Sequence, residues 1–404
     1  MIAIISSPRS LQRGLLLVFI ALLLDIIGIA IITPIMPAFL KELTGDSISQ
    51  ASIDGGYLLM VYSIMQFAFA PLIGNLSDRF GRRPVLLVSI LTLAIDNLIC
   101  ALASNYWILF SGRILAGISG ASFSTCSAFI ADISNDNNRT RNFGLIGIAF
   151  GVGFILGPTI GGLLGSHFGP RSPFYLASTL SLMNFTFSWF MLPETLQQEY
   201  RRPFDLKRAN PLGALQQMRN YPSVLWVSFA FFCYWLAESA WPSIWPFLAS
   251  YRYGWNESKV GLSLAMFGAG QIIVTTIILP YLTARDWSNR SLSITGLTFS
   301  IIGLISYAFA YKGWMIFAIF AVTCPEYLAH APMRAIAASQ VPPSAQGELQ
   351  GALTSITSIT SIIGPIIYTW SFAHLTTGAP YLLAALSVII SWLVMCFLTH
   401  THNN

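Results

Sequence analysis

Apolar residues run through this chain in long blocks parted by short polar breaks. They neither alternate at a strand's period nor stripe one helix face. Twelve blocks approach the roughly 20 residues a membrane-spanning helix needs: 14–40, 53–75, 84–103, 107–131, 143–166, 173–192, 223–249, 259–282, 292–311, 313–336, 350–373 and 380–399. Backbone groups in lipid must be satisfied within their own segment, so each block predicts a helix. The long polar interval, 193–222, splits the blocks six and six. The pattern predicts an all-α integral membrane protein with twelve transmembrane helices in two pseudo-symmetric six-helix bundles. These are residues 1–192 and 223–404, joined by a cytoplasmic loop, 193–222.

Composition agrees with a bilayer as solvent. Hydrophobic residues make up 55% and charged residues 9%, against roughly 25% charged in soluble domains. Cys100, Cys126, Cys233, Cys324 and Cys396 all fall in apolar blocks without metal-ligand spacing, and read as small buried hydrophobes. Arg9 and Arg13 precede an apolar run too long for a signal peptide and lacking a small-residue cleavage site, so that run is expected to be a retained first span.

Cations set the orientation. With the N-terminus inside, the tail and cytoplasmic loops carry Arg9, Arg13, Arg79, Arg82, Arg83, Arg139, Arg141, Arg201, Arg202, Lys207, Arg208, Arg219, Arg285, Arg290 and Arg334. The opposite side carries Lys41, Arg171, Arg252, Lys259 and Lys312, and Arg113 stays in the membrane. The asymmetry predicts both termini in the cytoplasm. The formal charge of +5 is then a topology signal and not a nucleic-acid footprint.

Between the second and third blocks lies Gly74-Asn75-Leu76-Ser77-Asp78-Arg79-Phe80-Gly81-Arg82-Arg83-Pro84, expected to form a charged, glycine-punctuated turn. It resembles the loop 2–3 signature of the major facilitator superfamily, G-x-L-x-D-R-x-G-R-R/K. The fifth block carries Gly144, Gly147, Gly151, Gly153, Gly157, Gly161, Gly162 and Gly165. Small-x-x-x-small spacing lets a second helix approach closely, and Pro158 removes a backbone donor. Its Gly157-Pro158-Thr159-Ile160-Gly161-Gly162 resembles the antiporter signature of drug/proton exchangers in that superfamily. Ile363-Gly364-Pro365 stands one half later, as a repeat would place it.

Further likeness is to bacterial tetracycline/proton antiporters. It is carried by Leu24-Asp25-Ile26-Ile27-Gly28-Ile29, Tyr62-Ser63-Ile64-Met65-Gln66, Gly112-Arg113-Ile114-Leu115-Ala116-Gly117, Ala131-Asp132, Arg139 and Gly347-Glu348-Leu349-Gln350-Gly351. The resemblance covers nearly the whole chain. It implies roles for Asp25, Gln66, Asp78, Asp96, Arg113, Asp132 and Arg139. It also implies gating by Gly74, Asp78, Arg79, Gly81, Arg82, Asp132 and Arg139 on the cytoplasmic side, and by Gly157, Pro158 and Gly161 in the fifth helix. Two departures stand out. Gln271 occupies the place of the family's span 8 histidine, and Leu297-Thr298-Phe299-Ser300 carries no acid where span 9 has an aspartate. The resemblance therefore carries fold and transport class, but not substrate.

Charges inside spans are functional candidates by default, since each costs about 2.5–3.5 kcal/mol at mid-bilayer on insertion scales. They are Asp25, Asp96, Arg113, Glu238, Glu326 and Arg334, with His330. Asp25 follows an unbroken apolar run. Burial disfavours the charged form of a lone carboxylate, the property a proton carrier requires; the competing expectation is a structural pair with Arg113. Glu326, His330 and Arg334 fall at i, i+4 and i+8, which on an α-helix is one face. Glu326 beside His330 could exchange a proton near neutral pH. Asp25, Glu326, His330 and Asp96 are thus the expected proton-coupling groups. Trp235, Glu238 and Trp241 are expected to wall a substrate cavity with Gln66, Arg113, Gln271 and Arg334, whereas Trp245 reads as a membrane-interface aromatic.

No P-loop, H-E-x-x-H or G-x-S-x-G appears, and no enzyme is expected. The reading is a proton-coupled exporter of a small organic molecule in the bacterial inner membrane, acting as a monomer. Its partners are substrate, protons and lipid, with no nucleic acid, no metal and no cofactor. The alternative is a proton-coupled importer of a siderophore, another metal chelate or an organic anion.

Overall fold

The computed structural model describes residues 8–120, 123–134, 139–204, 222–342 and 345–397. Among them, eleven helices are long and apolar enough to cross a membrane. In chain order with one further helix they are α1 (Val18–Thr44), α2 (Ile48–Phe80), α3 (Arg82–Leu102), α4 (Tyr106–Asp132), α5 (Asn142–Phe168), α6 (Ser172–Met191), α7 (Val224–Tyr253), α8 (Glu257–Thr283), α9 (Asn289–Phe309), α10 (Gly313–Ser339), α11 (Gln346–His374) and α12 (Ala379–Phe397). Helix α6 is the less apolar one, diluted by Ser172, Ser178, Thr179, Ser181, Asn184, Thr186 and Ser188. The hydroxyls of Thr179, Thr186 and Ser188 are satisfied within α6, Ser172 donates to the Gly169 carbonyl just before it, and Ser178 donates to the Ala94 carbonyl of α3 at 2.8 Å.

The expected turn at 74–84 is shorter than the sequence suggests. Helix α2 continues through Asn75, Asp78 and Arg79 to Phe80, because nothing from 75 to 80 breaks a helix and a membrane boundary does not end one. Gly81 alone forms the joint, at φ +102, and α3 begins at Arg82. Several spans are interrupted internally. A 3-10 turn at Thr33–Ile35 contains Pro34, a turn at Ser239 parts Pro222–Glu238 from Ala240–Tyr253, a π-helical stretch at Val274–Ile278 lies in α8, and a 3-10 stretch at Cys324–Leu328 lies in α10. Helix α5 runs unbroken through Pro158.

The chain divides into two compact units. The first comprises Met1–Gly45, Val61–Pro211 and Asn256–Ala265; the second comprises Asp46–Met60, Leu212–Trp255 and Met266–Asn404. Each thus takes in part of a helix whose remainder belongs to the other. Within the first unit α3 packs on α6 and α1 on α5; within the second, α9 packs on α12 and α7 on α11. Those are the same pairs one six-helix repeat apart. The Gly-Pro steps repeat the relation. A Cβ on Gly157 would meet Ala30 of α1, and one on Gly364 would run into the Ser239 side chain of α7.

Two arginines close helix ends. Arg171 Nη1 donates to the Ala101 and Ala103 carbonyls at the end of α3, at 3.0 and 2.7 Å. Arg252 Nη1 donates to the carbonyls of Tyr307, Ala308 and Ala310 at the end of α9, at 3.2, 3.2 and 2.9 Å. Each satisfies orphan carbonyls and places positive charge at the negative end of a helix dipole.

Candidate functional site

In the first unit, α1, α2, α3, α4 and α5 enclose a cavity of about 270 Å³. Helix α1 contributes Leu22, Asp25, Ile26 and Ile29, and α2 contributes Tyr62 and Gln66. Helices α3 and α4 supply Ser89, Leu93, Ala116, Ser119 and Gly120, and α5 closes it with Phe150 and Phe154. The two phenylalanine rings lie 6.2 Å apart and nearly parallel, at 16°. Gln66 Nε2 donates to the Gly120 carbonyl at 3.3 Å. Asp25 Oδ1 is buried without a hydrogen-bond partner. A lone acceptor in mostly apolar walls stabilises a proton or a cationic group there, since an unpaired buried polar atom is costly.

Arg113 does not pair with Asp25. Its Nη2 lies 3.1 and 2.9 Å from the two carboxylate oxygens of Asp96, with Cys100 Sγ at 3.3 Å. Asp96 is 0% exposed. The pair joins α3 to α4 over a small glycine: a Cβ on Gly112 would sit 3.0 Å from Asp96 Oδ1 and 2.7 Å from Cys100 Sγ. Two predicted site residues, one assigned to protons and one to substrate, are thus each other's partner.

At the joint after α2, Arg82 gathers the acids. Its Nη1 reaches Asp78 Oδ1 at 2.6 Å and Ser77 Oγ at 2.6 Å, and its Nε reaches Asp132 Oδ2 at 3.2 Å. The Glu194 carboxylate accepts the backbone N–H groups of Arg82 and Arg83, at 2.8 and 3.3 Å. These amides open α3, so the carboxylate caps its N-terminus. A side chain on Gly81 would collide with Glu194. Thr195 Oγ1 donates to Asp132 at 3.1 Å, and the Arg202 amide to the Asp78 carbonyl at 3.1 Å. Sequence reasoning missed Glu194, although Pro193-Glu194-Thr195 stands just beyond the sixth apolar block. Arg79 is exposed, its guanidinium 5.1 Å from the Phe80 ring. Gly74 makes no close approach; a Cβ there would meet Ser124 Oγ at 3.8 Å. The Arg139 side chain lies outside the described residues.

The glycines of α5 separate into two groups. Gly153, Gly157, Gly161 and Gly165 lie against Ile26, Ala30, Ile31 and Ile35 of α1, with Gly161 against the Ile31 carbonyl. Gly162 lies against the Glu257 carbonyl, and Gly261 against that of Pro158. Ser166 and Ser258 hydroxyls join at 2.6 Å. Around Gly144 and Gly147 a Cβ would meet nothing within 4 Å.

In the second unit, the α10 stripe is not one face. Residues 324–328 form a 3-10 turn and α-helix resumes at His330. Steps of about 120° per residue replace 100°, which turns Glu326 away from His330. No hydrogen bond or ion pair joins them among the described residues. His330 instead packs on Trp235 at 5.2 Å, edge to face, and on Phe231 at 6.0 Å. Glu326 is 3% exposed and lies beside Gly303 of α9, where a Cβ would stand 3.5 Å from its Oε2. Trp241 lies among Trp245, Phe267, Tyr307 and Tyr381. Trp245 is fully buried against Trp255 and Phe267, so it is a core residue and not an interface aromatic. Gln271 is exposed, whereas Arg334 is half-buried with a partnerless Nε.

Two repeated helical units, a cavity with one unpartnered acid and a charge-latched joint define a secondary transporter. The Major Facilitator Superfamily description matches residues 18–324 and 227–404. The class C tetracycline resistance protein of Escherichia coli is 37% identical over 90% of both chains, and the class G protein of Vibrio anguillarum 34% identical over 88% of this chain and 89% of that one. A bacterial homologue of the human lysosomal transporter Spinster, inward-facing and occupied, superposes with TM-score 0.79 at 15% identity, covering 98% of each chain. The human organic anion transporter MFSD10 gives 0.70 at 20% identity, covering 96% of this chain and all of that one. The chain belongs to the Major Facilitator Superfamily, and it is a secondary transporter of the proton-coupled efflux type.

Proposed function

We propose that the protein exports a ring-bearing organic compound across the inner membrane in exchange for protons, with Asp25 as the group for which proton and substrate compete. The observation that carries this reading is the partnerless Asp25 oxygen in the wall of an otherwise largely apolar cavity. Phe150 and Phe154 offer a flat apolar surface, and Tyr62 and Gln66 supply polar contacts beside it. An exchanger needs one group that cannot stay empty when deprotonated, and a desolvated lone carboxylate meets that condition. Relatives named for resistance favour export, so the importer reading is not carried forward. The exposed Gln271 and the acid-free 297–300 stretch favour a compound other than tetracycline itself. The energy source is the proton gradient, without a cofactor, and the working unit is a monomer with cytoplasmic termini.

The test is reconstitution into liposomes with an imposed pH gradient, using tetracycline and planar organic cations such as ethidium as probes. Gradient-driven uptake of a probe is expected, with Asp25→Asn inserting normally but losing the response to the gradient. Full gradient-driven accumulation by Asp25→Asn would remove Asp25 from the mechanism.

A further inference from the structure

The cationic and aromatic side chains gathered around His330 in the second unit are left unused by that reading. Within His330–Ser339 the α-helical period holds, so Arg334 stands one turn past His330 on the same side of the helix. Ala331, Ala335 and Ser339 form the exposed face of this stretch, and Met333 and Ala337 are buried. Arg334 lies at the border of the two faces. Its side chain turns to the packed one, because its Nε is buried and has no hydrogen-bond acceptor. An arginine that only snorkels lays its stem along apolar surface and keeps its nitrogens in water. This one does not.

Rings of α7 hold the imidazole. Phe231 and Trp235, four residues apart, lie 6.0 and 5.2 Å from the His330 ring, the first inclined by 28° and the second edge to face at 86°. Trp235 Nε1 is a second buried donor without an acceptor. Among the described residues no ion pair involves His330 or Arg334, although Glu238 and Glu326 belong to the same unit. Guanidinium, indole and imidazole all bring N–H groups to this cluster, and no carboxylate is paired with it. Buried donors are nearly always satisfied, and buried charge is paired or hydrogen-bonded. Such a cluster recognises an acceptor that carries negative charge. A carboxylate suits the planar fork of Arg334, and the rings of Phe231 and Trp235 offer apolar surface beside it.

We propose that Arg334, His330 and Trp235 form an oxyanion-binding subsite in the second unit, and that the transported compound carries a carboxylate or comparable oxyanion on its ring system. The proposal deepens the export reading and rests on it for the word transported. Together with the role given to Asp25, it names the substrate class as ring compounds bearing both an amine and an acid. Binding is by charge and hydrogen bonds; no covalent bond forms or breaks.

The experiment is equilibrium binding to the full chain in nanodiscs of neutral phosphatidylcholine, without a pH gradient, read by fluorescence anisotropy. The probes are rhodamine B, which carries a free carboxylate, and its ethyl ester, which keeps the rings and amines but lacks the anion. Comparing one dye between wild type and variant cancels its partition into lipid. Arg334→Gln should weaken binding of the acid by about tenfold or more, the loss expected of a hydrogen bond to a charged group, and of the ester by no more than about twofold. Trp235→Phe, which keeps a ring but removes the N–H, should also weaken the acid selectively. Arg334→Lys, which keeps the charge without the fork, should fall between wild type and Arg334→Gln, and it guards against a Gln variant that fails to fold. Equal losses for acid and ester would overturn the proposal, as would acid binding indifferent to Arg334→Gln or no binding of the acid to wild type. Loss of acid binding on adding phosphatidylglycerol to wild-type discs would assign the oxyanion to a lipid headgroup and overturn the substrate assignment. Because no gradient is imposed, failure here is separate from failure of Asp25→Asn to abolish exchange.

Discussion

At the scale of single residues, Gly81 and Glu194 show how tightly the joint between α2 and α3 is specified. Gly81 has φ +102, and any side chain on it would enter the space of the Glu194 carboxylate. Gly81→Ala is expected to cost about 1–3 kcal/mol, the range for strained backbone held in place by its surroundings. Thermal unfolding in detergent would measure it. Glu194→Ala in addition should restore part of the loss, because the added methyl then has room; strictly additive effects would separate the two residues. The motif around Asp78 and Arg82 was legible in the sequence because its spacing is distinctive. Its partner Glu194 was not, since it lies over a hundred positions away and nothing local marks a loop acid as the cap of another helix. Arg113 makes the same point. Its burial was legible, but the choice of Asp96 over Asp25 depends on which faces of α3 and α4 meet. Asp96→Asn should leave a buried guanidinium uncompensated and destabilise by about 3–5 kcal/mol. Asp96→Asn with Arg113→Gln should recover much of that, as judged by detergent-extracted yield and unfolding temperature.

At the scale of elements, glycine spacing in α5 predicts close packing without saying which glycines are in contact. Gly161 faces the Ile31 carbonyl so closely that a methyl must push α1 away, whereas Gly144 faces open space. Gly161→Ala should therefore lower both unfolding temperature and transport, whereas Gly144→Ala should raise the unfolding temperature slightly and leave transport unchanged. Equal effects from the two would mean that helix propensity, not packing, governs this helix; Ala for Gly alone favours a helix by about 1 kcal/mol. Helix α10 gives the opposite lesson. Its polar residues read as one stripe only if an α-helical period runs through Pro325 and Pro332. The 3-10 stretch breaks the period between Glu326 and His330 and leaves His330 among aromatic rings. Period cannot be read where prolines remove donors and tertiary partners decide how the freed carbonyls are satisfied. Trp245 differs from its expected place for a related reason: its position near the end of a span suggests the membrane surface, while the clustered rings of Trp241, Trp255 and Phe267 enclose it.

At the scale of the whole molecule, repetition accounts for much of the design. The same helix pairs and the same Gly-Pro contact recur in both units, although Gly157 meets alanine and Gly364 meets serine. The repeat is one of packing, and the chemistry placed on it differs: a lone aspartate in the first unit, two glutamates in the second. Orientation follows from a different property, the distribution of fixed charge. Fifteen of 21 Lys and Arg residues fall in segments assigned to the cytoplasm, and the described ones among them include Arg82, which meets three acids, Asp78, Asp132 and Glu194. Because cationic loops are retained on the cytoplasmic side and acids contribute little to the bias, those acids do not weaken the argument. A fluorescent protein fused after Asn404 should fold and fluoresce, whereas alkaline phosphatase fused there should be inactive. Phosphatase fused within 169–171, between α5 and α6, should be active. An active phosphatase at the C-terminus would reverse the assigned orientation, and with it the assignment of the Arg82 cluster to the cytoplasmic face.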